Sequence, residues 1–297
     1  NICAFSFFFH LAMTSSSSSL IFYLNGQRRE LPSVEPEMSL LQWLRKEGYT
    51  GTKLGCGEGG CGACTVMLSH YCQTTQKIRH RAVNGCLMPL AAVDGFAVTT
   101  VEGLGNTRDG LDIVQERIAN SHGSQCGFCT PGIVMALYAF LRSNPKATKE
   151  EIEDCLDGNL CRCTGYRPIL DAAKTFAFDE AQHAENVSYA AAELVQDGQQ
   201  PPADGSGICP STGKPCDCGP QTNGTETNGA NHNNGLCFDP SKITSHLIFP
   251  PSLKKHEIKS LQFKGQKATW YRPVSLQELL ELKAKNKNAK LVVGNTE

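Results

Sequence analysis

Residues 51–67 read GTKLGCGEGGCGACTVM, and the rest of the chain is best understood outward from this stretch. It carries Cys56, Cys61 and Cys64 in the spacing Cys-x4-Cys-x2-Cys, with twenty-one residues between Cys64 and Cys86. That is the plant-type spacing of a [2Fe–2S] cluster, in which each of two irons takes two thiolates beside two bridging sulfides. Five glycines lie between residues 55 and 62. A chain wrapped tightly around a compact inorganic core needs dihedrals that glycine adopts without steric cost. Missing side chains also let backbone N–H groups approach the sulfurs and stabilise their negative charge. A zinc site or a set of buried thiols is the alternative, but zinc sites use two close pairs and do not need so many glycines.

On the N-terminal side, residues 20–24 (LIFYL) read as a strand, Asn25-Gly26 as a tight turn and residues 28–34 as the returning strand. Ser39 can cap a short helix over residues 40–47, with its leucines and Trp43 facing inward. Together with the glycine-rich loop these elements predict a small α+β domain over residues 20–106. Residues 1–19 form a tail. Its first twelve residues, NICAFSFFFHLA, are apolar but lack a basic region and are too short to span a bilayer. They read as sequence upstream of a start at Met13, with a signal peptide as the alternative.

Beyond residue 107 the pattern turns helical, up to about residue 182. Residues 131–142 (PGIVMALYAFLR) predict a helix with Thr130 as its cap and Pro131 in its first turn. Thr148 and Glu151 have capping-box spacing for a second helix ending around residues 157–158, and a third starts near Pro168. Cys126-x2-Cys129 and Cys161-x-Cys163, thirty-one residues apart, each precede a helix start. Helix N-termini carry partial positive charge that favours thiolates. The four cysteines therefore suggest a second cluster between two helix ends. Their spacing leaves zinc as the rival, and a Rieske centre is excluded because no histidine sits within the pairs.

Residues 183–245 are rich in Gly, Pro, Asn, Gln and Thr and read as a flexible linker, with Cys209, Cys216 and Cys218 as exposed thiols. Residues 246–297 begin a further domain, with a helix from about Ser275 and a strand over residues 290–293. The chain stops in the following turn, so the sequence reads as a fragment. Cys155 is expected to pack inside its helix, and Cys72 has no partner close in sequence.

The fifteen cysteines are an odd number gathered in tight groups, which favours metal ligation in a reducing compartment over a disulfide scaffold. With 28 basic and 29 acidic residues there is no positive excess to grip nucleic acid or an anionic membrane. The eight histidines show no paired ligand spacing, and no P-loop, G-x-G-x-x-G or G-x-S-x-G motif is present.

Four runs resemble the xanthine dehydrogenase and aldehyde oxidase family of molybdenum hydroxylases: residues 51–67, SQCGFCTPG at 124–132, GNLCRCTGYRP at 158–168, and WYRP with LVVGNTE near the end. The resemblance implies a β-grasp plant-type ferredoxin domain followed by an all-α [2Fe–2S]-binding bundle. After the linker would come the start of an α+β FAD-binding domain. It implies that Cys56, Cys61, Cys64 and Cys86 hold one cluster, and Cys126, Cys129, Cys161 and Cys163 the other, displacing zinc. Gln125 would hydrogen-bond the pterin of a molybdenum cofactor, with Cys163 close to it. Lys290, Leu291, Val292, Val293, Gly294, Asn295, Thr296 and Glu297 would form the FAD-diphosphate loop. Electrons would pass from molybdenum through the helical-domain cluster and the ferredoxin-like cluster to FAD, and then to NAD or oxygen. The full protein would be a cytoplasmic homodimer with its own FAD and molybdenum domains. Residues 120–124 and 270–283 are closer to the xanthine dehydrogenase branch, which oxidises hypoxanthine to xanthine and xanthine to urate. The linker run ICPSTGKPC is similar to that of the plant members. An aldehyde oxidase, a freestanding two-cluster carrier and a zinc-stabilised binding module are the alternatives.

Overall fold

A computed structural model describes residues 19–178 and 248–292. The expectations for the tail, the linker with its three cysteines, and residues 293–297 therefore lie outside the described residues.

The chain opens as strand β1 (Leu20–Leu24), which turns through Asn25 and Gly26, both at positive φ, into the antiparallel β2 (Gln27–Leu31). The return strand is shorter than the expected 28–34. Ser39 caps α1 (Leu40–Lys46) in a full capping box with Gln42, as its position suggests. Strands β3 (Thr65–Cys72) and β4 (Lys77–Asn84) form a hairpin, and β5 (Ala97–Thr99) completes a sheet in the order β2-β1-β5-β3-β4. Only the β1–β5 pairing is parallel. Leu40, Trp43 and Leu44 of α1 bury against Phe22 and Leu24, with the Phe22 and Trp43 rings edge-on at 5.2 Å.

The helical part holds α2 (Ile113–Asn120), α3 (Thr130–Ser143), α4 (Lys149–Asp154) and α5 (Arg167–Lys174). Helix α3 is its axis: residues 132–139 and Leu141 are buried. It also lies against β3 and β4, and Met67 of β3 belongs to the helical core. The Thr148–Glu151 capping box is present, although α4 ends at Asp154 rather than near residue 157. Thr130 does not cap α3. Cys129 occupies that position, and the Thr130 hydroxyl instead meets Ser124 Oγ at 2.8 Å. The apolar run that predicts this helix carries no signal for where its first turn begins, which is one residue earlier.

After residue 247 come α6 (Pro251–Lys254), the hairpin β6 (Leu261–Lys264) and β7 (Thr269–Arg272), and α7 (Leu276–Lys285), capped by Ser275. Leu261 and Phe263 bury in the same apolar cluster as Phe22 and Trp43. The strand expected over residues 290–293 is not formed where it is described: residues 290–292 are irregular. Leu291 and Val292 stay exposed there, and a strand needs a partner to satisfy its backbone. Among the described residues no helix is long and apolar enough to cross a membrane.

Candidate metal centres

The β3–β4 hairpin assembles the first thiol group. Cys64 precedes β3 and Cys86 follows β4, so pairing Thr65 with Asn84 closes the long gap between the two cysteines. The Gly85 N–H donates to the Cys64 carbonyl at 3.1 Å, and the Cys64 and Cys86 thiols come into hydrogen-bonding contact. Ahead of them, the glycine loop brings Cys56 to Cys61. The Cys56 N–H donates to Cys61 Sγ at 3.3 Å, and the Glu58 N–H donates to Cys56 Sγ at 3.4 Å. The loop's conformation explains its composition. Gly57, Gly59 and Gly62 all lie at positive φ, and a side chain on Gly55 would sit 2.6 Å from Cys61 Sγ.

In the second group Cys163 meets Cys126 at 3.5 Å between sulfurs, and Cys129 meets Cys161. Cys161 is held from both sides: its N–H donates to Tyr166 Oη at 2.9 Å, and its sulfur meets Thr164 Oγ1 at 3.1 Å. Each of the eight sequence-predicted cysteines thus meets one other thiol, in four pairs. Within each group the thiols meet in twos, and among the described residues no three ligand-type side chains converge on one point.

The two groups share one electrostatic pattern. Each has one inner thiol raised by burial, Cys64 or Cys129, and one exposed thiol lowered by a backbone N–H, Cys56 or Cys126. The Glu58 N–H is the main reason the Cys56 thiol falls to about 7, and the Phe128 N–H is the main cause that lowers Cys126. Burial pushes Cys64 to about 12 and Cys129 to about 11. Burial also acts upward on Cys161, but the Thr164 hydroxyl and the Thr164 and Cys163 amides outweigh it and leave the thiol lowered. Cys163 is raised by its contact with Cys126. Donors aimed at the sulfurs suit a bound centre that carries negative charge.

The two groups touch through a junction that sequence inspection misses. Gly62, between Cys61 and Cys64, comes so close to Gly158, Asn159 and Gly132 that a side chain at Gly62 or Gly132 would collide with backbone. Asn159 is buried there, and the Leu160 N–H donates to the Cys61 carbonyl at 2.9 Å. Gln125 is exposed beside the exposed Cys126, and Lys290, Leu291 and Val292 are exposed far along the chain from both groups. Cys155 packs against the helical core as expected. His256 is more than a scattered residue, since it pairs with Asp94.

A family model described as "2Fe-2S iron-sulfur cluster binding domain" matches residues 22–91, and one described as "[2Fe-2S] binding domain" matches residues 100–174. The first spans Cys56, Cys61, Cys64 and Cys86, the second Cys126, Cys129, Cys161 and Cys163. Xanthine dehydrogenase 2 of Arabidopsis thaliana is 51% identical over 284 residues, and xanthine dehydrogenase of Dictyostelium discoideum is 50% identical over 284. Aldehyde oxidase 1 of Cavia porcellus is 49% identical over 290 residues. These alignments cover 93–94% of the chain but only 20% of each relative, so the chain spans about one fifth of their length.

Proposed function

The chain belongs to the xanthine dehydrogenase and aldehyde oxidase family of molybdenum hydroxylases, and from that premise we propose that it is the electron-transfer portion of a xanthine dehydrogenase-type oxidoreductase. The observation that carries this reading is the meeting of eight thiols two by two. A dinuclear cluster asks for two thiolates on each of two irons, and each group supplies two pairs. The donor set therefore fits. Cys56, Cys61, Cys64 and Cys86 would hold one cluster, and Cys126, Cys129, Cys161 and Cys163 the other. When bound, such a cluster takes up and releases single electrons.

The chain's own residues prepare both sites. Backbone N–H groups of Cys56 and Glu58 face sulfur in the first group, and Thr164 faces Cys161 in the second. Buried Cys64 and Cys161 face away from water, while Cys56, Cys126 and Cys163 remain exposed where a neighbouring group can approach. Gln125 would hydrogen-bond the pterin of the molybdenum cofactor from the second group's exposed side. Residues 290–297 would contact FAD.

In this reading residues 20–106 are the β-grasp unit, 107–182 the helical unit, 183–245 the linker and 246–297 the start of a FAD-binding domain. The whole protein would be a cytoplasmic homodimer that oxidises hypoxanthine and xanthine and passes electrons to NAD. Aldehyde oxidation is the second reading, supported by the near-equal identity to the Cavia porcellus protein.

Iron and labile sulfide content, with electron paramagnetic resonance (EPR) after anaerobic reduction, tests the cluster assignment. About four irons per chain and two distinct signals are expected. Cys64→Ala and Cys129→Ala should each remove a different signal and about half the iron. A colourless, zinc-loaded chain would sink the reading. Xanthine-dependent NAD reduction by the full-length protein checks the substrate, and turnover of aldehydes alone would favour the second reading.

A further inference from the structure

We propose that Asn159 is a positioning residue that fixes the separation of the two thiol groups, and with it the coupling between the redox centres they hold. The inference rests on the two-cluster reading above. Asn159 lies two residues before Cys161 of one group, and its partners lie in the loop of the other. Its Nδ2 donates to the Gly62 carbonyl at 3.1 Å and reaches Thr65 Oγ1 at 3.5 Å. Beside it, the Leu160 N–H donates to the Cys61 carbonyl at 2.9 Å. Two consecutive residues of one group thus grip two consecutive carbonyls of the other, across nearly a hundred residues of sequence.

The clamp has little freedom to slide. Gly62 sits at φ +66°, where an added Cβ would lie 2.3 Å from the Gly158 carbonyl oxygen, and a Cβ on Gly132 of α3 would lie 2.2 Å from the Gly62 carbonyl oxygen. The Gly62 oxygen also accepts from the Thr65 N–H at 3.1 Å and the Thr65 hydroxyl at 2.7 Å. Asn159 is 6% exposed, so bulk water cannot readily replace its amide as a donor to the Gly62 carbonyl. Electron exchange and magnetic coupling both fall steeply with separation. Loosening this contact therefore changes the electronic link without touching a ligand.

The test uses the cluster-loaded full chain. Asn159→Asp keeps the side chain's size but removes the donor and turns an oxygen toward the Gly62 carbonyl. We expect about tenfold faster hydrogen exchange at the Leu160 amide, equivalent to ~1.4 kcal/mol. We also expect a broader distribution of centre-to-centre distances by pulsed EPR and weaker splitting between the reduced centres. Thr65→Val, which keeps the backbone bonds, should move the same readouts in the same direction but less, and it carries the test if Asn159→Asp does not accumulate. Leu141→Ala, in the helical core away from the junction, should lower the melting temperature and leave exchange at Leu160 and the splitting as in the parent chain. Unchanged exchange and splitting in Asn159→Asp, or the same changes in Leu141→Ala, would overturn the proposal. Fewer than two reduced signals in the parent chain would instead bring down the cluster reading, and this inference with it.

Discussion

His80 shows how one side chain ties pH to stability. It is buried where β4 meets α3, its Nδ1 lies 2.7 Å from Ser69 Oγ, and its backbone carbonyl accepts from the Ser143 hydroxyl. Burial first, then the Arg142 charge, then His70 push its pKa from 6.5 down to about 3. The unfolded chain therefore takes up a proton at higher pH than the folded one. Stability from the neutral ring is complete above pH 6.5 and is lost as pH falls toward 3, by up to ~1.4 kcal/mol per pH unit. Melting curves between neutral pH and about pH 5 should fall less steeply for His80→Gln than for the parent chain. Equal slopes would mean the ring titrates normally. At this scale the cysteines were legible, because residue type and spacing declare their chemistry. Asn159 and His80 were not, since their roles come from burial that their neighbours in sequence do not signal.

Helix α3 carries the argument at the scale of elements. Its buried face joins the helical core to the sheet, and its first turn begins at Cys129 of the second thiol group. Gly132 sits in that turn. In an open helix Gly→Ala would stabilise by about 1 kcal/mol, but here the added carbon would strike the Gly62 carbonyl and the Ala63 α-carbon. Neither is the free end of a flexible side chain, so overpacking of ~1–3 kcal/mol prevails. Gly132→Ala should therefore lower the melting temperature and the iron content, and a more stable, fully loaded variant would refute the close contact. Capping boxes and apolar runs announced α1, α4 and α7 because those signals act within one helical turn. Helix α2 went unanticipated, although Asp112 and Gln115 form the same box and could have revealed it. The boundaries of β2 and the cap of α3 followed hydrogen-bond partners elsewhere in the fold.

At the scale of the whole molecule, Asp94 fastens the segment after residue 247 to the first unit. Its carboxylate accepts from the Ile21 N–H at 2.8 Å and Arg272 Nη2 at 2.9 Å, and lies 2.9 Å from His256 Nε2. Gly265 closes on Pro36 nearby, and Phe263 joins the core around Trp43. Arg272 and His256 keep 19% and 18% exposure, so removing the charge should cost about 2 kcal/mol, less than for a wholly buried pair. Asp94→Asn should speed hydrogen exchange in β6 and β7 while leaving iron content unchanged. Unaltered exchange there would show that apolar packing alone holds the segment. By itself the sequence determined which thiols exist, how they are spaced along the chain, and most of the elements that carry them. Those properties depend on residue type and on spacings of a few residues. Only the tertiary structure decided that the thiols meet in pairs, that Gly62 and Asn159 join the two groups, and that residues 248–272 return to the first sheet. Such contacts link positions from tens to more than a hundred residues apart, and they are chosen by the packing of the whole core rather than by any local pattern.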